Sequence, residues 1–170
     1  MTFEEYMRLR ERALLRFAAV LTGDTRLAEE VLQEVLGRAF AAWQRIGAVD
    51  DPHAYVRRMV VNEYLSWRRK WGRNVLVADL EGLLPNAPDH ATGHAERVEL
   101  LSQLTRLPRA QRAAIVLRYY EGLADDEIAA ATGTGTSAVR SNIARGLRTL
   151  RVHIVDGSER ALPVAERDYP

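Results

Sequence analysis

Basic and hydroxyl side chains gather on one side of a predicted helix that runs from Thr136 to Arg151. Apolar residues at helical spacing predict its buried side: Val139, Ile143, Leu147 and Leu150. The opposite side then carries Ser137, Ser141, Arg145 and Arg148, with Arg140 and Asn142 on the flanks. The helix holds four arginines and no acid, a local charge of +4. Hydroxyls followed by arginines are typical of a helix whose first turn enters the DNA major groove and whose later turns meet phosphate.

A short helix and a tight turn precede this basic helix. Ile128, Ala129 and Thr132 form one amphipathic period. Gly133 follows and is suited to the positive φ that ends a helix sharply. Two helices joined in this way predict a helix-turn-helix that reads duplex DNA. The alternative is a solvated basic face on an ordinary helical hairpin, and the spacing favours DNA binding.

A second basic segment interleaves aromatic rings with cations. Tyr64, Trp67 and Trp71 recur at i, i+3 and i+7. Four cations surround them: Arg68, Arg69, Lys70 and Arg73. Aromatic planes beside cations can stack unpaired bases while neutralising the backbone, which predicts a single-strand site. From these residues alone, an equal alternative is that the rings lie in a core and the cations extend to solvent.

Charge is unevenly distributed along a chain whose formal net charge is only +1. Residues 57–73 hold six bases and one acid, a charge of +5, whereas residues 74–99 hold five acids and one base, a charge of -4. Residues 24–34 carry -3, from four acids and one base. The pattern indicates two nucleic-acid contacts and at least one surface of different purpose.

Two smaller groups are also candidates for binding. Arg109 and Arg112 open a helix after Pro108, where charge and exposed amides predict a phosphate contact. Glu30, Gln33 and Glu34 share one side of the second predicted helix at i, i+3 and i+4 spacing. For this acidic patch a solvated rim is the better interpretation when the helix is considered alone.

Composition excludes several classes of function. The 170 residues contain no Cys, so disulfides and thiolate metal sites are impossible. His90 and His94 are four residues apart, but Gly93 intervenes and no third ligand is evident, so no metal is predicted. The sequence contains no glycine-rich phosphate loop and no nucleophile–base arrangement, so neither an enzyme nor a cofactor is predicted. The acidic, amphipathic N-terminus and the lack of a long apolar run predict a cytoplasmic protein without membrane insertion.

Periodicity predicts an all-α protein with two small domains. An N-terminal helical bundle occupies residues 1–73, a flexible linker rich in Pro, Gly and acids occupies 74–94, and a helix-turn-helix domain occupies 95–155. The first helix is expected from Thr2 to Leu21, the second from Arg26 to about Arg45 and the third from Pro52 to Trp71. Residues 156–170 form a tail without sustained periodicity.

Three separated segments, residues 27–43, 52–62 and 107–123, resemble the sigma-70 family of bacterial RNA polymerase initiation factors. The absence of a middle domain makes the chain similar to the extracytoplasmic-function (ECF) group. The resemblance implies that Glu30, Gln33 and Glu34 contact core RNA polymerase. It also implies that the loop over residues 44–54 selects the minus-ten promoter element, and that Asn62 and the surface from Tyr64 to Lys70 hold the melted non-template strand.

For the second domain, the same resemblance implies a reader of the minus-thirty-five element. Its base and phosphate contacts would be Thr136, Ser137, Arg140, Ser141 and Arg145. Three positions depart from the family pattern. Ala124 replaces a capping Ser or Thr, which predicts a helix weakened by about 1 kcal/mol unless Asp125 or solvent compensates. Asn142 replaces a frequent basic residue, and Gly146 interrupts the recognition helix.

The function expected from these observations is transcription initiation without catalysis. The chain would bind core RNA polymerase, and both of its domains would then be positioned on promoter DNA, one on duplex and one on melted single strand. An anti-sigma protein is a further partner that the resemblance allows. The alternative is a stand-alone dimeric helix-turn-helix regulator that binds an operator, but it gives Trp67 and the acidic patch no role.

Overall fold

The computed structural model describes residues 1–66 and 91–151, with side chains over 1–66 and 98–150. Within these ranges the secondary structure is helical, which confirms the predicted fold class. The chain divides into two compact units, Met1–Ser102 and Gln103–Pro170. The predictions for the linker up to residue 90 and for the tail lie outside the described residues.

Eight α-helices and one π-helical segment make up the described chain. The first four are α1 (Phe3–Thr22), α2 (Thr25–Ala41), α3 (Trp43–Ile46) and α4 (Pro52–Ser66). The others are α5 (Ala91–Thr105), α6 (Arg109–Ile115), the π segment (Val116–Tyr120), α7 (Asp125–Thr132) and α8 (Thr136–Arg151). Helix α5 begins at Ala91, earlier than the expected Ala95, and so includes Gly93, which a helix tolerates at a cost of about 1 kcal/mol relative to Ala.

Capping residues fix the ends of α1 and the start of α2. Thr2 and Glu5 form a capping box: the Thr2 hydroxyl accepts from the Glu5 N–H and the Glu5 carboxylate accepts from the Thr2 N–H. Gly23 ends α1 with φ at 73°, a left-handed conformation that glycine adopts without strain. Asp24 then caps α2 by accepting from the Leu27 N–H at 3.1 Å.

The core of the N-terminal unit lies between α1, α2 and α4, which pack pairwise. Apolar residues at helical spacing on each helix face this core because their burial is the main favourable term in folding. Its fully buried members include Leu14, Phe17, Ala28, Val31, Val35, Val56, Val60 and Val61.

The second predicted helix is interrupted at Ala42, which has φ at -108° and ψ at 13°. The change of direction places the Trp43 ring 4.8 Å from the Tyr6 ring and 5.2 Å from the Phe3 ring, measured between centroids. Trp43 Nε1 also donates to the Met1 carbonyl at 3.2 Å. The Phe40 ring, near the end of α2, is 60% exposed and lies 5.2 Å from the Phe3 ring.

In the C-terminal unit, α6 and α7 both pack against α8. Its buried residues include Leu104, Leu107, Ala113, Ile115, Val116, Leu117, Ile128, Val139 and Leu150. The π segment ends with the Glu121 N–H donating to the Val116 carbonyl at 3.2 Å. Gly122 follows with φ at 69°, and this turn leads the chain into α7.

Candidate nucleic-acid interface

The turn between α7 and α8 has the geometry that the sequence predicts. Gly133 has φ at 67°, which confirms its expected left-handed conformation. The Thr134 N–H donates to the Ala129 carbonyl at 3.0 Å, and the Thr132 hydroxyl donates to the Ile128 carbonyl at 2.8 Å. They add to the bond from the Gly133 N–H to the Ala129 carbonyl at the C-terminal end of α7. The turn therefore fixes where α8 begins.

Helix α8 presents its polar side to solvent. Val139 and Leu150 are buried, whereas Ile143 and Leu147 are half-buried, so the apolar stripe faces inward. The exposed residues include Ser137, Arg140, Ser141, Arg145 and Arg148, and Thr136 is half-buried. The fold brings these predicted contact residues together on one helix. A role for each in DNA binding stays a prediction.

Arg145 is oriented by its own helix. Its Nε donates to the Ser141 carbonyl and its Nη2 donates to Asn142 Oδ1, both at 3.3 Å. Asn142 therefore supplies an acceptor for this guanidinium.

Asp125, the first residue of α7, contacts arginines from two other elements. Its Oδ2 accepts from Arg140 Nε at 2.7 Å, and its Oδ1 pairs with Arg118 of the π segment. The hydrogen bond from Arg140, together with the charge of Arg118, lowers the pKa of Asp125. This cluster could not be predicted from the sequence, because Arg118 and Arg140 are 7 and 15 residues from Asp125 along the chain.

The cap of α7 corrects one expectation. Ala124 has no side-chain acceptor, but its N–H donates to Glu127 Oε2 at 2.7 Å. Half of a capping box is therefore retained, and Glu127 provides it rather than Asp125. Asp125 is occupied by the two arginines instead.

The two arginines after Pro108 differ in their positions. Arg112 is 4% exposed, and its guanidinium donates to the Thr105 carbonyl, the last of α5. The predicted phosphate contact at Arg112 is therefore wrong for this conformation, because a buried side chain that binds the chain itself cannot reach DNA. Arg109 is half-buried, and its phosphate contact stays a prediction.

In the N-terminal unit, α4 separates residues that the sequence had grouped together. Asn62 is exposed, as is Arg58 one turn earlier. Tyr64 is 1% exposed and lies in the core, so its assignment to a strand-holding surface is wrong. The alternative that this ring is a core residue explains it. Trp67, Arg68, Arg69 and Lys70 lie outside the described residues.

The acidic patch is exposed on α2. Glu30, Gln33 and Glu34 all face solvent, whereas Val31 and Val35, which follow Glu30 and Glu34 in the chain, are fully buried. Gly37 continues the exposed side, with no atom within 4 Å of where its Cβ would be. Further along the helix, Arg38 forms an ion pair with Glu63 of α4. The exposed side of α2 is therefore negatively charged around Glu30 and Glu34, whereas the charges of Arg38 and Glu63 balance each other further along the helix.

Comparison with known proteins identifies both units. The sigma-70 region 2 family model matches residues 2–74, and the sigma-70 region 4 model matches residues 97–150. The chain is 38% identical over 170 residues to the RNA polymerase sigma-E factor of Streptomyces coelicolor, which covers 98% of this chain and 94% of that protein. It is 32% identical over 146 residues to the ECF RNA polymerase sigma factor SigL of Mycobacterium tuberculosis, across 82% of this chain and 81% of that protein. The chain belongs to the ECF group of the sigma-70 family.

A solved structure of another sigma factor shares this fold. The sigma factor RpoE from Bartonella quintana, crystallised with the anti-sigma factor NepR, matches with a TM-score of 0.68 and 24% identity. The match covers 91% of this chain and 98% of that one. The protein described here is, like the other members of the sigma-70 family, a transcription initiation factor, as the sequence resemblance implied.

The described residues contain neither a membrane-spanning helix nor a cluster of metal ligands. None of the described helices combines the length and hydrophobicity needed to cross a membrane. Within the same residues, no group of three or more His, Asp or Glu side chains could hold a metal ion.

Proposed function

We propose that this sigma factor directs core RNA polymerase to promoters through separate surfaces on its two units. The acidic patch on α2 binds the polymerase, α8 reads duplex DNA at the minus-thirty-five element, and the end of α4 contributes to binding of the melted strand at the minus-ten element. The factor performs no catalysis of its own and works in the cytoplasm, where transcription takes place.

The single observation that carries this proposal is the exposed, acid-free side of α8. Arg140, Arg145 and Arg148 are exposed on it together with the hydroxyls of Ser137 and Ser141. Arginine can bind guanine through two parallel hydrogen bonds, and serine can bond either bases or phosphates. Because the first residues after a helix-turn-helix turn enter the groove most deeply, Ser137, Arg140 and Ser141 are assigned to bases. Arg148, two turns later, is assigned to phosphate.

The N-terminal unit supplies a surface of opposite charge. Glu30 and Glu34 lie one turn apart on the exposed side of α2, which suits a basic surface of the polymerase. On α4, Arg58 and Asn62 are exposed one turn apart. A cation and an amide at this spacing can contact the backbone and base edges of a single strand. Residues 44–54 were expected to form a loop, but they include the end of α3 and the start of α4, with a turn between the two helices. This segment is assigned to selection of the minus-ten element.

Reconstitution with purified components tests the proposal. The purified chain is added to core RNA polymerase with a library of promoter fragments, and the transcripts are sequenced. Start sites that share an upstream and a downstream element, and that vanish when the chain is omitted, are the expected result. Transcription that does not depend on the chain, or that starts without a shared element, contradicts the proposal.

The dimeric regulator is distinguished by DNA binding in the absence of polymerase. A regulator binds its operator tightly as a free protein, whereas a sigma factor with separate polymerase and DNA surfaces requires the polymerase to position both units. Gel-shift titration of duplex promoter DNA with the chain alone and with the holoenzyme separates the two. A specific shift by the free chain at nanomolar concentration would favour the regulator.

A further inference from the structure

Arg140 is the only exposed arginine of α8 within the described residues that is shown in an ion pair with another element. Its partner is Asp125, at the start of α7, and the bond joins Arg140 Nε to Asp125 Oδ2 at 2.7 Å. Despite this contact, the Arg140 side chain is 68% exposed, whereas that of Asp125 is 27% exposed. The carboxylate is therefore partly covered, and the guanidinium extends past it into solvent.

The second oxygen of Asp125 is held as well. Arg118 of the π segment pairs with Oδ1, so both carboxylate oxygens are occupied and the carboxylate plane is fixed. The backbone under Asp125 is also constrained, because the Ala124 N–H before it is bound by Glu127. Arg140 thus contacts a carboxylate whose position is determined by Arg118 of the π segment and by the start of α7.

Stability alone does not account for this arrangement. Ion pairs between exposed side chains contribute little to folding, because solvent screens them and side-chain freedom is lost. An acid next to a DNA-reading surface also repels phosphate, which weakens binding in general. An acid in the first turn of α7 also favours that helix, but this effect does not require contact with an arginine of the DNA-reading surface.

The geometry of the bond suggests a use for this contact. Since Asp125 accepts from Arg140 Nε, this bond leaves the donors of the two terminal guanidinium nitrogens for another acceptor. A planar guanidinium with two parallel donors matches the O6 and N7 acceptors of guanine. Fixing the side chain before binding reduces the rotamer freedom lost on contact, which favours the correct base over others.

We propose that Asp125 is a positioning residue that orients Arg140 for base recognition. Arg118 holds the Asp125 carboxylate in place through its other oxygen. The inference rests on the proposed function, because it assigns Arg140 to duplex DNA. It predicts that two quantities respond differently when the charge of Asp125 is removed. Preference for the selected base falls because Arg140 loses its orientation, while non-specific affinity for duplex DNA is unchanged or rises because an acid has been removed.

The test uses the full chain bound to core RNA polymerase, with duplex DNA randomised in the upstream element. Wild type, Asp125→Asn and Asp126→Asn are compared by sequencing the bound fraction. Asp126 is the matched control, because it is an exposed acid in the same first turn of α7. We expect Asp125→Asn to lower the preference at one base position about three- to tenfold, and Asp126→Asn to leave it unchanged.

A double variant separates positioning from a structural role. In the Arg140→Ala background the orienting target is absent, so Asp125→Asn should produce no further loss of base preference. An additive loss means that Asp125 acts through the stability of α7 and overturns the proposal. A gain of preference in Asp125→Asn overturns it too, because the pair would then restrain Arg140 from DNA. If wild type selects no upstream element at all, the proposed function itself fails and this inference falls with it.

Discussion

Gly146 of α8 lies directly against the side chain of Ile115 at the end of α6. A Cβ added at Gly146 would be 2.4 Å from Ile115 Cδ1 and 3.4 Å from Cγ1, and Ile115 is 1% exposed. The glycine thus allows two helices of the C-terminal unit to approach closely. From the sequence, Gly146 was interpreted as an interruption of the recognition helix, but it is a packing position that sets how α8 is seated.

Gly146→Ala is expected to destabilise the C-terminal unit. Alanine favours a helix by about 1 kcal/mol relative to glycine, but overpacking a core typically costs about 1–3 kcal/mol. A clash with a buried side chain should dominate, with a net loss of about 1 kcal/mol. Urea unfolding followed by circular dichroism measures it. All three tryptophans lie N-terminal to Gly72, so tryptophan fluorescence follows the N-terminal unit separately.

Two variants make this prediction specific. Gly37→Ala is the matched control, because Gly37 is an exposed helical glycine with open space where its Cβ would be. It should raise stability by about 0.5–1 kcal/mol. Ile115→Val removes the colliding Cδ1, so the double variant Ile115→Val with Gly146→Ala should lose less than the sum of the single losses. Stabilisation by Gly146→Ala alone would show that Ile115 moves aside without penalty.

Ala124→Ser is expected to stabilise α7. Ala124 has φ at -75° and ψ at 166°, the extended conformation of a capping residue. A serine hydroxyl there can accept from the Glu127 N–H and complete the capping box, which should add about 1 kcal/mol to the free energy of unfolding. The control is Ala130→Ser, the same change at an exposed position inside α7, which should lower stability slightly. A thermal melt by circular dichroism that places both variants on the same side of wild type refutes the capping argument.

The local features of this protein could be predicted from its sequence. The apolar stripes of α1, α2 and α8, the turn at Gly133 and the exposed acidic patch all follow from spacing, since neighbours along a helix determine which side is buried. Family membership was also evident, because three motifs occur in the correct order.

The long-range features could not be predicted. Tyr64 and Arg112 had the residue types of a nucleic-acid surface, but tertiary packing placed both inside. Periodicity on one helix cannot show which flank another helix will cover. The contact between Asp125 and Arg140 likewise depends on how α7 and α8 cross, and the close approach at Gly146 depends on a residue 31 positions earlier, Ile115. These contacts arise from tertiary packing and have no counterpart in the spacing of residues along the chain.

Stability of the N-terminal unit is expected to depend on pH through His53. Its ring shares a 3.0 Å hydrogen bond between Nδ1 and the Tyr6 hydroxyl. Burial, together with nearby Arg57 and Arg10, lowers the pKa of His53 to about 4. In an unfolded chain the pKa of histidine is about 6.5. Between these values the unfolded chain binds the extra proton, so stability is complete above pH 6.5 and is lost as the pH falls toward 4.

The matching variant is His53→Asn, which keeps an acceptor near Tyr6 and cannot titrate in this range. From pH 7 to pH 5, wild type should lose on the order of 1–2 kcal/mol more than the variant, measured by urea unfolding with tryptophan fluorescence. The difference between the two proteins cancels the contributions of the other three histidines. Parallel pH curves would mean that the folded His53 takes up its proton without penalty.

Glu34→Ala and Arg145→Ala are expected to separate polymerase binding from promoter recognition. Glu34 is exposed on α2 and Arg145 on α8, and the two lie in different units. Glu34→Ala should weaken binding to core RNA polymerase several-fold, with promoter preference retained in the complexes that form. Arg145→Ala should leave polymerase binding unchanged and reduce promoter-specific initiation about tenfold, since one base or phosphate contact contributes about 1–3 kcal/mol.

Glu11→Ala, which removes an exposed acid on α1, is the control for charge alone. Fluorescence anisotropy with core enzyme and abortive initiation assays measure the two steps, and equal loss of both in both variants would mean that the surfaces do not act independently.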